Sequence, residues 1–329
     1  MDRRLFTQAG LTAVGAAIAA AHMPQAFAQA MPEQVRIVVG FPAGGPTDTF
    51  ARRIAQKVTG TLGAAVVVDN KPGAGGQFGI LNMKDSPTDG SVYLFTPASM
   101  LILFPHTFSK LGYKVDDVAP VSTGIYMPHG FGVGPAVPES VKTLKEFVEW
   151  AKANPDKASV GNPGAGSMPH MLSATLAKLS GAPLNNIPFQ GSAPGIAQLL
   201  GGQIAAMSSP LGDYLPHVAT GKLRLLAMSG GTRSPFAPNV PTYKEQGFPD
   251  LVFREWFGFF LPGKATMAQR EKAAAIFKVA LAQPDVAESV KQFAMEVVSS
   301  SPQQLADQIK ADTVVAGKMV QITGFKADS

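Results

Sequence analysis

Apolar runs of strand length alternate with stretches of helical period along most of the chain. Residues 35–39 (VRIVV) form a short β-branched run, followed by FPAGG at 41–45 and a helical pattern over about 48–61. A second apolar run, 65–69 (AVVVD), leads into NKPGAGG at 70–76, and another helical pattern opens near Gln77. A third run, 92–96 (VYLFT), follows an Asp89-Gly90 turn. Strand, helix, strand, helix, strand predicts a parallel sheet with right-handed crossovers.

The same grammar recurs after Pro138. Thr143 caps a helix over 144–154, and strands are predicted at 158–161, 184–189, 204–208 and 223–228, with helices over 168–179, 195–200 and 214–220 between them. The tail is helical over 267–282, 284–294 and 302–322 and brings no strand of its own, so it must cover an earlier layer. The pattern predicts an α/β molecule of two similar lobes. Each is a mixed, mostly parallel sheet flanked by helices, with a crossing near 132–138 and a return near 256–262. Trp256-Phe257-Gly258-Phe259-Phe260-Leu261-Pro262 is the expected hinge strand. The predicted boundaries are 1–28 for a leader, 29–134 with 262–329 for the first lobe, and 135–261 for the second.

The leader has the marks of an export signal. Arg3 and Arg4 give a positive start, residues 9–21 are small and apolar, and Ala26-Phe27-Ala28 supplies a cleavage site. The arginine pair suits a twin-arginine signal, whose flanking Ser/Thr and Lys are missing, and an ordinary Sec signal fits as well. No later apolar run approaches the roughly 20 residues a bilayer needs, so the mature protein is expected to be exported and soluble. Removing the leader takes away two Arg and one Asp, so the net charge falls from +5 to +4. That mild positive balance suits an anionic small molecule or partner as well as ordinary surface scatter. Lys and Arg form no dense cluster, which argues against nucleic acid. With 0 cysteines, disulfides, thiolate catalysis and Cys-based metal sites are excluded.

Candidate chemistry concentrates in four glycine-containing loops, at 41–48, 70–79, 161–170 and 189–195, each between a strand and a helix. Ligands of open parallel sheets sit outside the carboxyl ends of the strands. Helix N-termini there offer unpaired N–H groups and a partial positive charge, so the expected occupant is a small carboxylate or phosphate held by backbone donors. Tight turns alone also account for such glycines. Dinucleotide binding fits poorly: a fingerprint on Gly73, Gly75 and Gly76 would need glycine where Phe78 stands. Gly164-Ala165-Gly166-Ser167-Met168-Pro169-His170 puts a serine near a histidine but is not G-x-S-x-G. Ser167 suits a helix cap that also binds ligand, and His170 faces either the cleft or the interior. Asp48, in the first turn of its helix, is a cap or a group that orients water or ligand. His106, His129 and His217 lack metal-ligand spacing, and neither a metal nor a cofactor is expected.

These loops resemble the signatures of the Bug family, the periplasmic binding proteins of tripartite tricarboxylate transporters. The first is Pro42-x-Gly44-Gly45-x-x-Asp48-x-x-Ala51-Arg52. The second runs from Val67 through Asp69-Asn70-Lys71-Pro72-Gly73-Ala74-Gly75-Gly76 to Gly79. Gly164-x-Gly166-Ser167-x-x-His170, Ile187-Pro188-Phe189-Gln190-Gly191-x-x-Pro194, Leu199-Leu200-Gly201-Gly202-Gln203-Ile204, Pro238-x-Val240-Pro241-Thr242 and Trp256-Phe257-Gly258 continue the likeness in order. The resemblance implies a type II-like periplasmic binding protein fold that closes on an organic acid. It also implies delivery to membrane permease subunits, by a monomer without enzymatic activity. The contacts it implies are Phe41, Ala43, Gly44, Asp48, Gly76, Gln77 and Phe78 in the first lobe, with Ser99 beside them. In the second lobe they are Ser167, His170, Gln190, Gly191 and Ser192. Ala205 stands where the family usually has Asp. The bulk of Ser99-Met100-Leu101 and Met127-Pro128-His129 points to a larger ligand, aromatic or branched. A sensor that passes its closed state to a membrane signalling protein uses the same lobes. An exported hydrolase built on Ser167 and His170 would need a third, orienting carboxylate.

Overall fold

The computed structural model describes residues 31–327; the expected leader, 1–28, lies outside the described residues. The first sheet is built from β1 (Gln34–Val39), β2 (Ala65–Asn70), β3 (Val92–Pro97) and β4 (Val118–Met127). The second takes β5 (His129–Val133), β6 (Ser159–Asn162), β7 (Asn185–Pro188), β8 (Ala206–Pro210) and β9 (Arg224–Met228). The chain then returns to the first sheet with β10 (Glu255–Pro262) and the short β11 (Glu296–Val297).

The strand orders are β2-β1-β3-β10-β4-β11 and β7-β6-β8-β5-β9. Each sheet therefore starts as a parallel βαβαβ unit and receives, antiparallel, one strand from the chain's passage between lobes. The repeat seen in the sequence is this shared topology. The passages differ in detail from the sequence reading. The chain crosses at Pro128, and residues 129–133 pair on both edges within the second sheet. Residues 255–262, expected as a hinge strand, pair on both edges within the first.

The helices are α1 (Pro46–Val58), α2 (Gln77–Lys84), α3 (Ser99–Ile102), α4 (Phe104–Thr107), α5 (Leu144–Ala153) and α6 (Met168–Ser180). There follow α7 (Ser192–Leu200), α8 (Leu215–Val218), α9 (Met267–Leu281), α10 (Pro284–Val290) and α11 (Pro302–Thr323). Helix α1 starts at Pro46, whose missing N–H costs nothing at a first helical position. It buries Phe50, Ala51, Ile54, Ala55 and Val58, one stripe at helical spacing, against the first sheet. Phe50, Phe95, Phe259 and Phe277 stack beneath it with ring centroids 4.1–6.3 Å apart. Helix α5 carries the expected Thr143 cap, reciprocated by Glu146.

The lobes are not separate cores. Leu305, Ile309, Ala316, Met319 and Val320 of α11 join a buried cluster that also contains Leu94 of the first lobe and Phe131 and Phe147 of the second. Trp256 Nε1 donates to Asp312 on the same helix at 2.7 Å. The tail thus covers both lobes. Among the described residues no helix is long and apolar enough to cross a membrane.

Candidate functional site

The first two loops interlock through glycine. A Cβ on Gly40, just after β1, would lie 2.4 Å from the carbonyl oxygen of Gly76. One on Gly79 would lie 3.0 Å from the Gly40 backbone. Only bare backbone lets the end of β1 and the start of α2 approach this closely. Residues 73–76 all have positive φ, including Ala74 at 47°. This run turns the chain from β2 into α2 and seats Gly76 under the ring of Phe41 and beside the Met100 sulfur. Ala43, Gly44 and Phe78 are exposed, and Phe41 and Gln77 are half-buried.

Asp48 braces the first loop. It is 3% exposed and accepts from Gly44 N at 2.8 Å, Arg52 Nε at 2.9 Å and Asn70 Nδ2 at 2.9 Å. Asn70 also donates to the Phe41 carbonyl, so the loop is pinned to the end of β2. Burial pushes the Asp48 carboxyl up, and the bonds from Arg52, Gly44 and Asn70 outweigh it and hold the group below 3.8. A carboxyl depressed by folding adds stability above its unfolded pKa, and that stability is lost as pH falls through the folded value. Asp48→Ala is expected to cost about 1.5–3 kcal/mol at neutral pH, the range for charged hydrogen bonds. The difference from the parent protein, read by urea unfolding, should shrink as pH is lowered below 3.8.

In the second lobe, Gly191 N donates to Pro163 O at 3.0 Å and joins the third and fourth loops. Ser167 caps α6, accepting from His170 N at 3.4 Å while its hydroxyl donates to Gly164 O at 2.7 Å. His170 turns to the tail. Its Nδ1 accepts from Gly166 N at 3.0 Å, and Phe325 packs edge-on against its ring at 4.8 Å. Burial lowers its pKa. The Ser167 hydroxyl and the His170 ring are therefore both engaged within their own loop and not with each other. Gln190 and Gly191 are exposed, and Ser192 opens α7. Ala205 is 1% exposed at the amino end of β8, the opposite end from the ligand loops.

A buried polar chain crosses from the first lobe to the second. Ser99, beside Met100, donates to Glu255 Oε1 at 2.8 Å. Glu255 Oε2 lies 2.8 Å from His129 Nε2 across the lobe crossing. In the second lobe Asp213 is hydrogen-bonded by Ser209, at 2.5 Å, and by Ser192, and burial pushes its carboxyl up. The structure thus brings Gly76 beside Phe41 and Met100, joins Ser99 to His129 through Glu255, sets Ser192 beside Asp213, and leaves His170 beside the C-terminal tail. Sequence reasoning missed Asp213 and Glu255. The one available signal was Glu255 itself, a carboxylate opening the otherwise apolar run Trp256–Leu261.

Residues 50–325 match the model of the tripartite tricarboxylate transporter family receptor. The chain belongs to this family. A UPF0065 protein encoded in the gbd 5' region of Cupriavidus necator is 35% identical over 326 residues, 97% of each chain. Protein BugT of Bordetella pertussis is 34% identical over 230 residues, 69% of this chain and 70% of its own. Among solved structures, the periplasmic binding protein BugD superposes with a TM-score of 0.75 at 30% identity, covering 90% of this chain and 99% of its own. MatC from Rhodopseudomonas palustris with bound malate gives 0.73 at 26%, covering 87% and 98%. The receptor thus has the two-lobed α/β periplasmic binding protein fold expected from its sequence.

Proposed function

We propose that this receptor captures a small organic carboxylate between its lobes in the periplasm and presents it to the membrane permease subunits of its transporter. It acts as a monomer, without catalysis. The observation that carries the reading is the pairing of the first two loops, where Gly40 and Gly76 meet backbone to backbone. Such a contact leaves room for a ligand to approach main-chain N–H groups and the starts of α1 and α2. The malate bound by a relative of the same fold supports a carboxylate as the ligand class. Ligand bound by both lobes favours the closed form and shifts the open–closed equilibrium toward it. A hydrolase reading loses its support where Ser167 donates to Gly164 O and His170 accepts from Gly166 N.

The test is a thermal shift of residues 29–329 with mono-, di- and tricarboxylates and aromatic acids. A ligand of the folded state adds about 2.7 kcal/mol at a hundredfold excess over its dissociation constant. One acid class should raise the melting temperature and be recovered unchanged. A shift accompanied by product, or none with any acid, would overturn the reading.

A further inference from the structure

We propose that the last residues of the chain are a clasp between the lobes. Residues 324–327 tie α4 of the first lobe to the third loop of the second and hold the two against opening. The clasp itself is a property of the fold; its consequence for ligand retention rests on the receptor reading above.

The clasp begins where α11 ends. Gly324 has φ +69°, the left-handed cap conformation that glycine adopts without strain, and its N–H returns to the Val320 carbonyl at 2.8 Å. The chain leaves the helix axis there, and Phe325 N donates to Thr323 Oγ1 at 3.3 Å, which fixes the turn. Phe325 is thereby laid on the third loop. Its ring meets His170 edge-on with centroids 4.8 Å apart, and a Cβ on Gly166 would lie 3.2 Å from the same ring. Gly166 N also donates to His170 Nδ1. Ring, glycine and imidazole form one packed unit at the loop that opens α6.

Two residues on, the tail reaches the first lobe. Ala327 N donates to the Thr107 carbonyl at 2.9 Å, and Lys326 Nζ to the His106 carbonyl at 3.2 Å. Both carbonyls belong to the last turn of α4, where a helix leaves its C=O groups without intrahelical partners. The His106 ring also lies against Gly317 of α11, where an added Cβ would come within 3.2 Å of it. Helix α4 is therefore held both by the body of α11 and by the tail beyond it. It follows β3 of the first sheet, whereas α6 follows β6 of the second. Any motion that draws the third loop away from α4 must break either the Phe325–His170 contact or the Ala327–Thr107 hydrogen bond. The clasp thus opposes opening. It also presents the third loop already ordered, which lowers the ordering cost of a ligand that binds there.

Spin labels read the separation directly. With 0 cysteines in the chain, Gln56→Cys on α1 and Gln198→Cys on α7, both exposed, label one site on each lobe. Pulsed electron–electron distance measurements on ligand-free residues 29–329 then compare the labelled parent with Phe325→Ala, Phe325→Leu and a chain ending at Gly324. The alanine variant and the shortened chain should populate longer separations about two- to tenfold more than the parent, the factor one aromatic contact is worth. Leucine should fall between. Amide exchange over 164–170 should quicken by a similar factor while the core strands keep their protection. Should the shortened chain fail to give a cooperative melt, the Phe325 variants decide. Separations unchanged or shortened on loss of the ring would overturn the clasp, as would faster exchange spread over the whole chain with the distances unaltered. None of these readings uses a ligand, so the clasp and the carboxylate reading can fail independently.

Discussion

Gly76→Val is expected to abolish carboxylate binding and to destabilise the protein by about 2–5 kcal/mol, combining left-handed strain with overpacking. Two independent causes add. The backbone at Gly76 has φ +105°, where L side chains are strained and β-branched ones most of all. A Cβ there would also lie 2.9 Å from the Phe41 ring and 3.3 Å from the Met100 sulfur. The ring and the thioether can yield, but only by moving the walls of the proposed anion site, and the φ strain stays. Gly44 is the control. Its φ is +84°, yet nothing lies within 4 Å of an added Cβ. Gly44→Ala should therefore show strain alone, about 1–2 kcal/mol, with binding reduced less than in Gly76→Val. Urea unfolding and calorimetric titration of both variants check the pair. A Gly76→Val protein that binds as well as the parent would remove backbone capture by the first two loops.

The loops were legible because their signals are local. Glycine followed by helical period marks a strand-to-helix turn wherever it occurs, and 41–45 and 70–76 lie where that grammar put them. Strands β4 and β5 were not legible, for a physical reason. Their sequences, VAPVSTGIYM and HGFGV, carry glycine where side chains of strand formers were sought. In each case an aromatic from elsewhere fills the space. A Cβ at Gly124 would meet Phe259, Phe95 and Phe50 at 3.0–3.2 Å, and one at Gly132 would lie 2.5 Å from Tyr214. Packing across the sheet thus overrides strand propensity at these positions. His170 teaches the converse. Its spacing from Ser167 was read correctly as one helical face, but Phe325, supplied by the far end of the chain, occupies that face. Asp213 acquires meaning only beside Ser192 and Ser209, and Glu255 only beside Ser99 and His129. Contacts made between distant segments leave no spacing to read.

Glu255→Ala should be the most damaging single truncation in the polar chain between the lobes, at about 1–3 kcal/mol for each buried hydrogen-bond partner left unsatisfied. Glu255 opens β10 at 4% exposure and holds His129 of the second sheet and Ser99 at the start of α3. Alanine would leave the imidazole, at 1% exposure, with neither ring nitrogen bonded, and would strand the serine hydroxyl as well. The loss therefore measures orphaned partners more than the worth of the pair. The double variant His129→Leu with Glu255→Met separates the two. It replaces both members with apolar groups of similar bulk, and replacing both partners of a buried hydrogen bond in this way can be nearly neutral, so most of the lost stability should return. Binding should not return with it, because His129 stands next to Pro128, where the chain crosses between the lobes. Stability restored without affinity would identify the pair as part of the ligand site. Stability and affinity restored together would make it a structural rivet of the crossing, and a Glu255→Ala protein within about 1 kcal/mol of the parent, the worth of an ordinary neutral hydrogen bond, would deny it either role.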